Sequence, residues 1–497
     1  MFPRLFLILF LGLPVEVFSQ LRGNNLYEYQ LGNVPNEEPA GLSTHYDMLN
    51  LLYTYGKLTG TVRYEQFVHP EQQKEYYRLS QYSLSYRDRG LDIKLGHFNE
   101  TLGNGLLLRT FEIPSSIFED QAFRIRQGFY RDLKGFKAGY THKLFNIKLV
   151  RGRSLLNLIP PGYDESLRRP DLTEAIEAGT RIFSRKAGII LLRNTNDGKS
   201  ENFISFISSG KVAGDLTYSF ELADRFGNND KTWFTDETSY GIYASLNYSI
   251  GSLGISLEYK NYHDMFIGAG ISDPPTLIRE QAYRLLNRST HIPELSDESG
   301  YQAEIFYGFP GGDFLTVNHS LTVNEIGNRF IFQEYFIEYQ FALPSSEVLK
   351  LFADYSSEPL RLENNRYSGG IVYEPVFTVG SGMLFQFEYQ YFRRRDFLDA
   401  SVSNAVAVIN WHRSDRLGIG ISYELSTDPF MTDKASTLEI ERGTRHWAGL
   451  DLSYRINKAN RLTLFAGERR GGPACTSGIC YEVLNFRGVE LRLVTKF

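Results

Sequence analysis

The sequence predicts an all-β fold: a single large transmembrane antiparallel β-barrel. Three observations predict it. Strands that alternate apolar and polar residues recur to the C-terminus. The links between them alternate long and short, as they do where tight turns edge one rim of a barrel and loops the other. After the first 19 residues no apolar run reaches the roughly 20 residues that a spanning helix needs. The mean hydropathy of −0.29 agrees, because a barrel strand offers only every second residue to lipid.

The chain opens with Arg4, an apolar run over residues 5–15, and Val17-Phe18-Ser19 ahead of Gln20. That is the layout of a secretory signal peptide over 1–19, cleaved on export, with the barrel domain over 20–497. A buried apolar strand is the other reading of the run. No Cys follows the cleavage site, which argues against a lipid anchor. The first strand is expected near Leu26, without room before it for a globular plug or a periplasmic domain.

Side chains alternate across a strand, and the later strands show it. Leu253, Ile255, Leu257 and Tyr259 alternate with Ser256, Glu258 and Lys260. Met383, Phe385, Phe387, Tyr389 and Tyr391 oppose Gln386, Glu388 and Gln390. Leu417 to Leu425 and Ala448 to Tyr454 repeat the pattern. In the last strand Val489, Leu491, Leu493, Thr495 and Phe497 share a face, and Glu490, Arg492, Val494 and Lys496 the other. A terminal aromatic after such a strand resembles the signal that bacterial outer-membrane barrels present to their insertion machinery. Residues 456–460, 414–415 and 249–252 read as short turns; 426–443, 225–237 and above all 261–300 read as long links. Both termini then face the periplasm, which demands an even strand number. The count is about 26, within a range of roughly 22–26.

Composition narrows the function. Aromatics are 14 % of the chain, with 32 Tyr and 36 Phe, as aromatic belts at two bilayer interfaces require. A net charge of −5 leaves no nucleic-acid footprint. Cys475 and Cys480 close a small loop around a Gly in an oxidising compartment, which predicts a disulfide. Half a metal site is the alternative, but no second Cys or His pair accompanies it. No metal and no cofactor are expected.

Three groups of residues are candidates for the work of the barrel. In residues 96–112, Asn104-Gly105 signals a tight turn, and Glu100, Arg109 and Glu112 could meet in the lumen, where opposed charges set a transverse field and a size limit. A structural Glu–Arg pair is the plainer reading. In residues 273–291, two prolines break the strand pattern and Thr276 could cap a helix. Leu277, Ile278, Leu285 and Leu286 make an apolar stripe, with Arg279, Glu280, Arg284 and Arg288 on the polar side. The stripe predicts packing, against the inside wall as a partial plug or against a partner. In the lumen, Arg279, Arg284 and Arg288 would favour anionic solutes. Glu334, Glu338, Gln340, Glu388, Arg394, Asp451, Arg455, Glu490 and Arg492 fall on polar faces of mixed sign, as a hydrated wall laced with ion pairs would. An enzyme is disfavoured: the nine His, His263, His291, His412 and His446 among them, come with neither a Gly-x-Ser-x-Gly elbow nor a His-Glu-x-x-His motif.

Three segments carry a family resemblance. They are Gly96 to Glu112; Pro274-Pro275, Arg279-Glu280, Leu285-Leu286-Asn287-Arg288, Thr290-His291 and Asp297 to Gln302; and Gly467 to Gly472 with the Cys475–Cys480 loop and Phe497. Together they resemble an uncharacterised, porin-like family of outer-membrane barrels from Bacteroidota, with a departure at Gln281 and Ala282. The resemblance implies an outer-membrane barrel and supplies no activity. The expected function is a porin-like channel for small polar solutes, set in outer-membrane lipid. The alternative is a non-transporting subunit of an outer-membrane secretion, assembly or surface complex, with the 261–300 and disulfide loops as docking surfaces for partner proteins.

Overall fold

The computed structural model describes residues 20–120, 124–155, 171–196, 198–226, 239–268, 274–277, 279–292, 297–325, 327–343, 347–394, 400–431, 443–476 and 479–497. The expected signal peptide over 1–19 lies outside them, as do Ile278 and the side chains of Cys475 and Cys480.

Alternation along the chain becomes a two-faced wall. Twenty-four antiparallel strands close into one barrel, inside the expected range and below the count of about 26. The strand Glu363–Glu374 resumes after Pro375 as Val376–Thr378, and both pieces pair with Ser381–Arg394. Proline has no N–H for the ladder, so one wall strand is interrupted rather than two formed. The first and last strands meet at the seam, from Asn24 opposite Lys496 to Asn33 opposite Arg487. Beyond that register Gly23 and Phe497 exchange backbone hydrogen bonds of 2.8 and 3.0 Å.

Both termini lie on the rim that carries the short turns, such as Gly56-Lys57, Gly214-Asp215 and Gly251-Ser252. The long connectors 99–132, 264–296 and 470–485 leave the opposite rim and carry the elements that are not part of the wall. The outward face is apolar and exposed: in Ser381–Arg394, Phe385, Phe387 and Tyr389 are 38–48 % exposed, while Glu388 and Gln390 are 1 %. Inward residues are buried in the loop-side half and open toward the turn rim. In Leu172–Ile182, for example, Thr173, Ala175 and Glu177 are buried and Arg181 is exposed.

Candidate functional site

The lumen is the candidate site, and three inserts from the loop rim shape it. The first, 99–132, folds inward because it has both apolar and polar partners on the wall. Leu102, Leu106, Leu107 and Leu108 are buried against Leu133, Val150, Ala175, Ile190, Leu192, Phe203 and Ala223. Burying a leucine is worth about 1.5–3 kcal/mol, which favours insertion over solvent. The tip is fixed by wall carboxylates: Gly103 N–H donates to Glu177 at 3.2 Å, and Asn104 N–H to Glu221. The Ser219 hydroxyl donates to Asn104 Oδ1 at 2.9 Å. Gly103 holds φ +55°, and a Cβ there would sit 2.6 Å from the Glu221 carboxylate, so only glycine fits.

The expected trio does not form one cluster. Glu100 pairs with Lys137 at 2.7 Å and Lys148 at 3.0 Å. Burial pushes its carboxyl up, but the two ammonium groups outweigh burial and hold it below the usual range. Glu112 pairs with Arg63 of the wall. Arg109 is half-buried and its backbone bridges Thr101. The second half of this insert is a hairpin, Phe111–Glu119 with Arg126–Arg131. It is bound to the seam region: Arg126 donates to Glu28 at 2.9 Å and to Glu119 at 3.1 Å, and Gly128 N–H to Glu65 at 3.2 Å. Glu28 also accepts from Arg492 of the last strand at 2.8 Å.

The second insert is described over 264–268, 274–277 and 279–292, and it packs inside the barrel, as the apolar stripe anticipates. Tyr283 and Leu286 pack on Phe336, Phe352 and Val372, with the Tyr283 ring stacked 3.7 Å from Phe352. Leu285 packs on Val406 and Val408. Its helix is shorter than expected, Arg284–Arg288, and Thr276 does not cap it. The cause is tertiary. Arg279 pairs with Glu304 and Tyr283 donates to Glu338, so 279–283 is drawn out along the wall. The helix then begins where Glu388 accepts from the N–H groups of Arg284 (2.9 Å) and Leu285 (2.8 Å). At the other end Arg361 donates to the carbonyls of Arg288 and Thr290, and Arg366 to that of Ser289. The orphan groups at both ends of a helix need such partners, and here the wall supplies them.

The arginines of this insert are therefore unequal. Arg279 is neutralised by Glu304 and Arg288 by Glu424, which Arg470 shares at 2.8 Å. Arg284 is exposed and forms no ion pair among the described residues. His291 lies buried between Glu298 and Glu358. Burial lowers its imidazole, but the two carboxylates outweigh burial and raise it to about 9.

The third insert is the hairpin Gly472–Thr476 with Ile479–Val483, in which Cys475 stands directly opposite Cys480. Ile479 and Tyr481 pack on Phe111, Phe129 and Phe118 of the first insert. Sequence reasoning missed the wall partners Lys137, Lys148, Glu177, Glu221, Glu65 and Arg366. The inward phase was readable for several of them, as for Glu65 two residues from Phe67, but what they bind comes from distant connectors.

On the turn side of the first insert the lumen opens into a cavity of about 680 Å3, lined by Asn104, Asn146, Lys148, Glu177, Arg181 and Lys186 among others.

Comparison with known proteins adds a family model and a fold. A model described as a family of unknown function, DUF6029, matches residues 16–155 and 218–497. No curated protein matches the sequence. A chain of the E. coli P pilus tip assembly intermediate PapC-PapD-PapK-PapG is 11 % identical, with a TM-score of 0.51 over 95 % of this chain and 60 % of that one. The P pilus usher (PapC) translocation pore gives 9 % identity and a TM-score of 0.47 over 96 % and 99 %. The outer-membrane protein OpdK of Pseudomonas aeruginosa gives 12 % and 0.38 over 68 % and 94 %. At such identities the first likeness concerns the fold, a large closed barrel.

Proposed function

We propose that this chain, which belongs to the DUF6029 family of unknown function, is an outer-membrane channel for small polar solutes whose own inserts narrow it from the loop side. The observation that carries this reading is the lumen: a closed wall with a polar inward face, open on the turn side, and occupied on the loop side by segments fastened through ion pairs and hydrogen bonds. The polar contacts can exchange for water, while the buried leucines of the inserts keep them seated against the wall. Short turns belong to the periplasmic side of outer-membrane barrels, so the turn rim and both termini are assigned to the periplasm. Export through a cleaved signal peptide over 1–19, insertion by the barrel-insertion machinery through Phe497, a Cys475–Cys480 disulfide and an origin in the Bacteroidota complete the reading. No catalysis is assigned to it. The disulfide draws support from the direct opposition of the two cysteines in their ladder, since opposed Cα atoms in antiparallel strands fall within bridging distance.

One observation favours the second reading, a non-transporting subunit of a secretion, assembly or surface complex. The loop-side half is filled, and Phe430 and Phe266 near that rim are more than half exposed. Single-channel conductance of the purified barrel in a planar bilayer, beside a variant lacking 276–288, separates the two. Conductance in the native protein, altered in size or ion preference by the deletion, supports the channel. Silence in the native protein with large conductance after deletion means a plugged channel. Silence in both, with folding confirmed, overturns the channel and leaves the subunit.

A further inference from the structure

The turn-side wall holds charges that the inserts do not use. In the ladder between Leu172–Ile182 and Arg185–Asn196, Arg181 stands directly opposite Lys186. Alternation puts Arg181 on the face of Glu177 and Gly179, which is the lumen face. Directly opposed like charges weaken an antiparallel pair. Among the described residues no ion pair offsets the repulsion, and only solvent screens it: both side chains are exposed. The inward carboxylate nearest along the strand, Glu177, is already engaged by Lys148 and by Gly103 N–H.

This pair borders the cavity of about 680 Å3, a volume within the range of about 300–1,000 Å3 typical of small-molecule pockets. Lys143 lines it as well, again without an ion-pair partner among the described residues. Around these cations stand Asn104, Asn146 and Ser209. Asn104 Oδ1 accepts from Ser219 and Asn146 donates to Glu177 at 3.4 Å, so the Asn104 amide offers its N–H groups, Asn146 its carbonyl and Ser209 its hydroxyl. Cations that repel each other, beside groups suited to hydroxyls, describe a site lacking one anionic group and several hydroxyls.

We propose that this cavity binds a small polyhydroxylated anion, a sugar phosphate in chemical class. The anionic group bridges Arg181 and Lys186, and the hydroxyls meet Asn104, Asn146 and Ser209. Taking that solute as the cargo rests on the channel reading above; the binding itself does not. Because Gly103 and Asn104 line the same cavity, the bound solute touches the tip of the first insert.

The test is equilibrium dialysis of the full-length barrel in detergent micelles, with glucose 6-phosphate, glucose and inorganic phosphate as probes. Glucose 6-phosphate is expected to bind saturably, and at least tenfold more weakly to the double variant Arg181→Gln, Lys186→Gln. Without ligand, that variant is expected to melt at a higher temperature than the native barrel, which also verifies its folding. No saturable binding, or equal affinity in the variant, overturns the site. Inorganic phosphate binding as tightly as glucose 6-phosphate overturns the recognition of hydroxyls. Dialysis reads binding without conduction. A barrel that binds the probe but is silent both with and without 276–288 therefore sinks the channel alone, and a conducting barrel that does not bind sinks this inference alone.

Discussion

Glu28 is the residue on which three parts of the chain converge. It lies on the first strand, is 2 % exposed, and accepts from Arg126 of the first insert and Arg492 of the last strand. Without it, Arg126 keeps Glu119 at 3.1 Å, and Arg492 keeps Glu490 at 3.7 Å. Both arginines retain a carboxylate, so the loss is that of hydrogen bonds to a charged group, about 1.5–3 kcal/mol. Glu28→Ala is therefore expected to lower unfolding stability by about that much in a urea titration of the barrel in lipid vesicles. A loss well under 1 kcal/mol would show that the network carries no weight. Nothing local in Leu-Tyr-Glu-Tyr-Gln announces this role. The strand pattern fixes only that Glu28 points inward, and its partner Arg492 is 464 positions away.

At the scale of elements, the strands were legible and the inserts only in part. Strands announce themselves through a period of two that each segment carries alone. The apolar stripe at Leu285 and Leu286 rightly marks those residues as packed, because burial needs apolar side chains wherever the wall is. Helix length was misread, since Glu304, Glu338 and Glu388 on three separate strands decide where the chain is extended and where it coils. Tertiary partners override local propensity in this way. The same insert carries a pH dependence. The His291 imidazole is raised to about 9 from 6.5. Its contribution to holding the insert is thus complete below about 6.5 and fades as pH rises through about 9. Amide hydrogen exchange, corrected for the intrinsic rate, should show 284–292 losing protection between pH 6.5 and 9.5. His291→Gln should flatten that change; equal protection at both pH values in the native protein would remove His291 as a clasp.

For the molecule as a whole, the sequence supported a closed barrel because an even number of alternating strands with both ends on one rim admits little else. The count of 24 falls inside the expected range of roughly 22–26, with one wall strand broken at Pro375. The hairpins at Phe111–Glu119 and Gly472–Thr476 are strands by backbone but sit off the wall. Closure also has a consequence for connectivity. Gly23 and Phe497 are hydrogen-bonded neighbours, and a Cβ on Gly23 would lie 2.6 Å from the Phe497 ring. The ring of strands therefore has no privileged beginning. A circular permutant, with Gln20 joined to Phe497 by a short linker and new ends cut between Gly214 and Asp215, keeps every ladder of the native wall. In refolding into lipid vesicles, where no machinery reads the chain, such a permutant should reach the native, heat-modifiable form on a gel. In the cell it should fail to assemble unless an aromatic residue is restored at its new end. The two outcomes together would separate the place of Phe497 as a stave of the barrel from its proposed role as a tag.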